Sequence, residues 1–166
     1  AHLYDRSTEK GFNSGTHFLR ILEEYENFDF VEVGIQKHCN SQKHFDWCKQ
    51  HGGLILTWDE FMFSGLPLTS YLTEKLGDLL LKPRPTFLSI DIDGFSANYA
   101  MGCSQSWSTG FHPNEFFVAL QMLINHLDVK ALGIYEVSPP LDFDNHTAKL
   151  AAQILYQFIF GQTRHD

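Results

Sequence analysis

Asp91 and Asp93 lie one residue apart in PTFLSIDIDGFSANYA, residues 85 to 100, at the end of an apolar, β-prone run. Side chains at i and i+2 of a strand point to the same side. The two carboxylates are therefore expected to face one way at the strand's end. Like charges this close are unfavourable unless a cation sits between them, and carboxylates suit hard ions such as Mn2+ and Mg2+. The spacing alone leaves three uses open: metal ligands, a nucleophile with its partner, or a turn, since Asp before Gly is common in turns.

Other groups could join them. Glu136, in IYEVSPPLD (134–142), ends a second apolar run and is followed by Pro139 and Pro140. It could receive a cationic substrate group, or be a surface glutamate at a strand exit. His2, in AHLYDR (1–6), lies among polar residues. In NSGTHF (13–18), Asn13, Ser14 and Gly15 can cap the helix that follows, and that helix N-terminus could hold an anion. Capping is the simpler role for Ser14. Trp107 is either a substrate wall or local packing. His17, His38, His44, His51, His112, His126, His146 and His165 show no ligand spacing.

Four short apolar runs predict strands at 28–36, 52–58, 86–92 and 129–138, nearly continuous in hydrophobicity as strands buried on both faces should be. Helical patterns lie between them. Residues 15–25 place Phe18, Ile21, Leu22 and Tyr25 on one face. Residues 40–53 open on capping residues and stop at glycine. Residues 67–82 stop before Pro83. Residues 112–127 carry Pro113 in the first turn, where proline is tolerated. Residues 144–160 have Asp144 as the expected cap and a stripe through Leu150, Ile154, Leu155 and Phe158. Alternation of this kind predicts βαβ units and a parallel sheet. The long Ser- and Gly-rich stretch 97–113 follows directly on the two aspartates. Loops of that length in a compact domain are usually functional, and ligands of open α/β sheets bind outside the carboxyl ends of the strands.

The 166 residues suit a single α/β domain spanning 1–166. With 43% hydrophobic and 14% aromatic residues, 15 of them Phe, a real core is available. A net charge of −8 without a basic stripe speaks against a nucleic-acid partner. No apolar stretch approaches the ~20 residues of a membrane helix, and no signal-peptide pattern opens the sequence. Cys39, Cys48 and Cys103 have no CxxC spacing, so free thiols in a reducing, cytoplasmic compartment are expected. The first residue is Ala rather than Met, and the chain is expected to begin inside a longer one.

SIDIDGFSANYAMGCSQS, then a helix, then YEVSPPLDFDNHTAKLAA, resembles the C-terminal half of the ureohydrolase family, which comprises arginase, agmatinase and formimidoylglutamase. NSGTHF resembles the S-G-T-P-F segment of the formimidoylglutamase branch, and VGIQKHCNSQKHFDWCKQHG resembles that branch's following strand and helix. The likeness covers nearly the whole chain. It implies a three-layer parallel sheet with helices on both faces, incomplete at the N-terminus. By the same likeness Asp91 and Asp93 are metal ligands, with Asp91 bridging two Mn2+ ions. His2 matches the histidine ligand of D-A-H-x-D-x-R, and Arg6 matches its arginine, which would meet a substrate carboxylate. Glu136 matches the glutamate that binds the guanidinium or formimino end of a small-molecule substrate. Glu136 and Asp93 then form the catalytic pair, and Ser14 lies on the substrate side.

The activity implied is hydrolysis of an amidine-like C–N bond, giving formamide and glutamate from a formiminoglutamate-like substrate, in a homo-oligomer. The two Mn2+ ions would lower the pKa of the attacking water. Tyr4 stands where the motif has its second aspartate, with Asp5 adjacent. The motif's first aspartate and an earlier histidine would precede Ala1. His17 replaces the proline of S-G-T-P-F, and the arginine that follows in the family is displaced to Arg20, behind Leu19. Tyr4 keeps a second reading open: a ureohydrolase fold with a degenerate metal site that holds one Mn2+ or none, serving as a subunit or binding module. A third reading, a haloacid-dehalogenase-type phosphatase, fits FLSIDIDG, but Phe95 stands where that motif has Thr or Val.

Overall fold

The computed structural model describes residues 17–25 and 27–161, which divide at Ser64 into two compact units, each with its own two-stranded parallel sheet.

The first unit runs α1 (His17–Glu24), β1 (Val31–Ile35), α2 (Gln42–Gln50), β2 (Leu54–Thr57) and α3 (Trp58–Ser64). β1 and β2 pair from Val31↔Leu54 to Ile35↔Thr57, with a bulge between Val33 and Ile35. The start of α2 is local chemistry: Ser41 Oγ accepts the N–H of His44 at 3.3 Å, which satisfies one orphan donor of the first turn. Ile35, Phe45, Cys48 and Ile55 form the core, with Leu22, Phe28, Phe30 and Trp47 packed around it. Each of Ile35, Phe45 and Ile55 stabilises the unit by about 1.5–3 kcal/mol on leaving water. The stripe expected on α1 holds for Leu22. Tyr25 lies past the last turn and is exposed, because the helix ends at Glu24. α3 is not among the helices expected. Its start is a reciprocal capping box, in which the Thr57 N–H donates to Glu60 Oε2 at 3.0 Å and the Glu60 N–H donates to Thr57 Oγ1 at 3.2 Å.

The second unit runs α4 (Leu68–Leu81), β3 (Pro85–Asp91), α5 (Pro113–His126), β4 (Asp128–Tyr135) and α6 (His146–Gly161). β3 and β4 pair in parallel from Pro85↔Asp128 to Asp91↔Tyr135, so both strands end at one edge. Parallel neighbours need a long crossover, here residues 92–127. Leu68, Tyr71, Leu72 and Leu76 of α4 are buried at helical spacing, as are Leu120 and Ile124 of α5 and Leu150 and Ile154 of α6. Leu155, one position beyond Ile154, is turned about 100° further round the helix and is exposed, and Phe158 is only half-buried. The expected stripe therefore narrows to Leu150 and Ile154. β3 alternates rather than burying both faces: Ile90 is buried while Phe87 is 55% exposed.

Pro113 opens α5, and His112 caps it, its Nδ1 accepting the N–H of Asn114 at 3.1 Å. At α6 the cap is Asp142, not Asp144. The Asp142 carboxylate accepts the N–H groups of Thr147 and Ala148, each at 2.9 Å. Asp144 and Asn145 both take positive φ, 51° and 54°, a region Asp and Asn enter more readily than other non-glycine residues. That turn swings Asp144 outward, where it pairs with Lys149 at 3.2 Å. Among the described residues no helix is long and apolar enough to cross a membrane.

Candidate metal and substrate site

The carboxylates gather where β3 and β4 end. Asp91 is the last residue of β3, and Glu136 directly follows Tyr135, the strand partner of Asp91. Asp93 is not carried there by strand alternation. β3 stops at Asp91, and Ile92–Gly94 form a 3-10 turn in which Asp91 Oδ1 accepts the N–H of Asp93 at 3.0 Å. The turn reading of the D-x-D holds in the geometry, and the turn is what brings the second carboxylate round. Glu136 leaves the strand with φ 65°, a conformation that costs a non-glycine residue on the order of 1–3 kcal/mol.

Asp93 is 3% exposed, and its Oδ1 has no hydrogen-bond partner among the described residues. A buried carboxylate oxygen without a partner is costly. Burial pushes the Asp91 carboxyl up, and the charges of Asp93 and Glu136 push it further. Both observations fit a cation held by Asp91 and Asp93, since hard divalent ions take carboxylate oxygens and would satisfy the orphaned atom. Among the described residues no third His, Cys, Asp or Glu joins them in a metal-binding group.

The 97–113 stretch is a closed loop rather than an open strap. The Phe111 N–H donates to Gly94 O at 2.9 Å, the Ala97 N–H donates to Trp107 O at 2.7 Å, and Ser96 Oγ donates to Ser108 O at 2.9 Å. Gly110, at φ 150°, permits this closure. A Cβ there would lie 2.5 Å from the Phe95 carbonyl carbon and from the Ser96 nitrogen. Trp107 serves the loop through its backbone carbonyl, and the residue is 39% exposed.

Cys103, buried in the same loop, donates its thiol to Ala100 O at 3.1 Å. Burial, and then the adjoining Asp93 carboxylate, push the thiol up to about 12. Alkylation requires thiolate. In the native protein at pH 8.5, iodoacetamide should therefore modify Cys103 at least about a hundredfold more slowly than after unfolding. Peptide mass mapping of the alkylated protein reads this directly, and equal rates would refute it.

Of the sequence-derived site residues, the structure brings Asp91, Asp93 and Glu136 together. His2, Arg6 and Ser14, with Tyr4, Asp5 and Asn13, lie outside the described residues. The sequence reading passed over Gly102, Ser104 and Thr147. Ser104 Oγ donates to Glu136 Oε2 at 3.1 Å, and the Gly102 N–H donates to Thr147 Oγ1 at 2.8 Å. The one signal available was that these residues lie in, or face, a loop too long to be a simple connection.

The family model described as Arginase family matches residues 1–161. The chain is 32% identical over 164 residues to formimidoylglutamase of Bacillus subtilis (strain 168), covering 97% of this chain and 51% of that protein. It is also 32% identical over 171 residues to formimidoylglutamase of Fusobacterium nucleatum, covering 96% and 49%. The crystal structure of the Bacillus subtilis formimidoylglutamase superposes with a TM-score of 0.81 at 29% identity, over 90% of this chain and 47% of that one. A Trypanosoma cruzi formiminoglutamase structure with Mn2+ shares the fold, with a TM-score of 0.77 at 22% identity, over 99% and 53%. The chain spans about half the length of the relatives it matches. With Asp91, Asp93 and Glu136 at one strand edge and a family match over nearly all its residues, this chain belongs to the arginase family, in its formimidoylglutamase branch, and carries the α/β fold of that family's C-terminal portion.

Proposed function

We propose that the protein is a manganese-dependent hydrolase of a linear amidine C–N bond, acting on a formiminoglutamate-like substrate to give formamide and glutamate. The observation that carries this reading is the cluster of Asp91, the partly unsatisfied Asp93 and Glu136 at the ends of two parallel strands. The fold is one that holds Mn2+ in the Trypanosoma cruzi formiminoglutamase. Asp91 and Asp93 would hold the metal, with His2 as a further ligand. When bound, the metal supplies a water of lowered pKa and a charge that polarises the amidine.

The protein's own residues do the rest. Glu136 receives the cationic, planar end of the substrate and sets its plane against the carboxylate pair. Arg6 meets the substrate carboxylate, with Ser14 beside it. The oxygen of water joins the amidine carbon, the bond from that carbon to the glutamate nitrogen breaks, and that nitrogen leaves with a proton as the amine. Asp93, buried at the same strand edge, would hold that proton in transit. The chain works as part of one ureohydrolase-type domain, and a homo-oligomer and a cytoplasmic location go with this reading.

The protein as encoded should release formamide and glutamate in equal amounts from N-formimino-glutamate, with Mn2+ and not after chelation. Polypeptide 1–166, which spans about half the length of its relatives, is expected to be inactive alone. Robust turnover by 1–166 would contradict that. The Tyr4 substitution favours the degenerate-site reading. Metal analysis of the protein as encoded separates the two: two Mn2+ per chain excludes it, and none supports it. Membership of the arginase family leaves the phosphatase reading without support.

A further inference from the structure

We infer that Ser104 is a positioning residue for the substrate's cationic end, acting by holding the Glu136 carboxylate before ligand arrives. This deepens the reading given under Proposed function and rests on it for the nature of the ligand. The Ser104 hydroxyl donates to Glu136 Oε2 at 3.1 Å across 32 residues of sequence. Glutamate has three side-chain torsions to fix, and a carboxylate already fixed does not lose that freedom when it binds.

Ser104 can do this because its own loop is anchored to the segment that carries Glu136. The Ser138 N–H donates to Gly102 O at 2.7 Å, and the Gly102 N–H donates to Thr147 Oγ1 at 2.8 Å. Gly102 lies so close to the α6 cap that a Cβ on it would come 2.5 Å from Asp142 Cβ. On the other side, Cys103 Sγ and Ser106 Oγ both donate to Ala100 O, at 3.1 and 3.3 Å. Ser104 is thus bracketed by fixed points. Glu136 sits at positive φ directly after β4, so its backbone is set by the strand end and its carboxylate by the loop.

The test uses the protein as encoded, labelled at glutamate 13Cδ, with the Glu136 resonance identified by its loss in Glu136→Gln. Formamidinium chloride is the probe, titrated into the metal-free protein. It should perturb the Glu136 signal. Ser104→Ala should raise the half-saturating concentration about tenfold, and Ser104→Thr, which keeps the hydroxyl, should stay within about twofold of the parent. With Mn2+ and N-formimino-glutamate, Ser104→Ala should raise KM by a similar factor while kcat changes by less than about threefold, because the lost contact orients substrate rather than metal. Equal half-saturation in Ser104→Ala and the parent would overturn the inference, as would a failure of formamidinium to perturb Glu136 in the parent. Ser104-dependent formamidinium binding without any turnover would uphold the positioning role and instead remove the hydrolase reading.

Discussion

Asp93→Ala should lower Mn2+-dependent turnover by about a thousandfold or more and leave the metal-free protein at least as stable as the parent. The two halves of this expectation have one cause. Asp93 is buried with an oxygen that none of the described residues satisfies. Removing such a carboxylate removes a desolvation cost that outweighs its contact with the Cys103 thiol, so the fold loses nothing by it. What is lost is the second oxygen donor beside Asp91. A metal bound through a single carboxylate would be weakly held and misplaced, and a loss of about 4 kcal/mol in transition-state stabilisation is already about a thousandfold in rate.

Asp91→Ala should be equally severe in turnover. It also removes the oxygen that accepts the Asp93 N–H and so loosens the turn. The thermal stabilisation that Mn2+ gives the parent, which measures binding to the folded state, should vanish in both variants. Asp46→Ala, an exposed aspartate bonded to Gln42 on α2, should leave kinetics and metal response unchanged. Full Mn2+-dependent turnover in either Asp91→Ala or Asp93→Ala would refute the metal assignment.

The second large effect is on stability and falls on a residue with no polar side chain. Gly110→Ala should destabilise the protein by about 3 kcal/mol or more and lower its Tm by roughly 10 °C. The φ of 150° is one that side-chain-bearing residues rarely adopt. The added methyl would meet backbone on three sides, at 2.5 Å from the Phe95 carbonyl carbon and the Ser96 nitrogen and 2.8 Å from Gly94 O. None of those atoms is the end of a flexible side chain, so the loop itself must shift. Gly94 O is also the acceptor for the Phe111 N–H, and Gly94 adjoins Asp93. The variant should therefore lose metal affinity along with stability, and hydrogen exchange at Phe111 and Ala97 should rise. Thermal melting and amide exchange together check this. An unchanged Tm with protected Phe111 would show that the loop accommodates a side chain and that the closure is not rigid.

The strand and helix positions were legible because they rest on local signals. Ser41 capping α2, Pro113 opening α5, and the apolar spacing of Leu68, Leu72 and Leu76 each depend on neighbours within one or two turns. α3 was missed: T-W-D-E carries a capping box, but the helix follows a strand without any break. The α6 cap was not legible. Asp142 and Asp144 are equivalent in type, and only the left-handed turn at Asp144 and Asn145 decides between them.

The site divides the same way. The spacing of Asp91 and Asp93 marked a charge problem correctly, but alternation along a strand gave the wrong reason, since the strand ends at the first of the two. Glu136 was placed by the two prolines beyond it. The Ser104 bond to Glu136 and the contact of Cys103 with Asp93 join residues brought together by the loop's closure, and no local pattern encodes such pairs. Phe87 on the open side of β3 is the counterpart in the fold. Its apolar character predicted burial, but β3 alternates and leaves it 55% exposed.

Anomalous diffraction at the manganese edge, from crystals of the protein as encoded grown with Mn2+, tests the central assignment most directly. The account predicts a peak at the ends of β3 and β4, with Asp91 and Asp93 oxygens in its coordination sphere at about 2.0–2.3 Å and the Glu136 carboxylate facing it without ligating. Manganese bound elsewhere, or a site from which both aspartates are turned away, would contradict it.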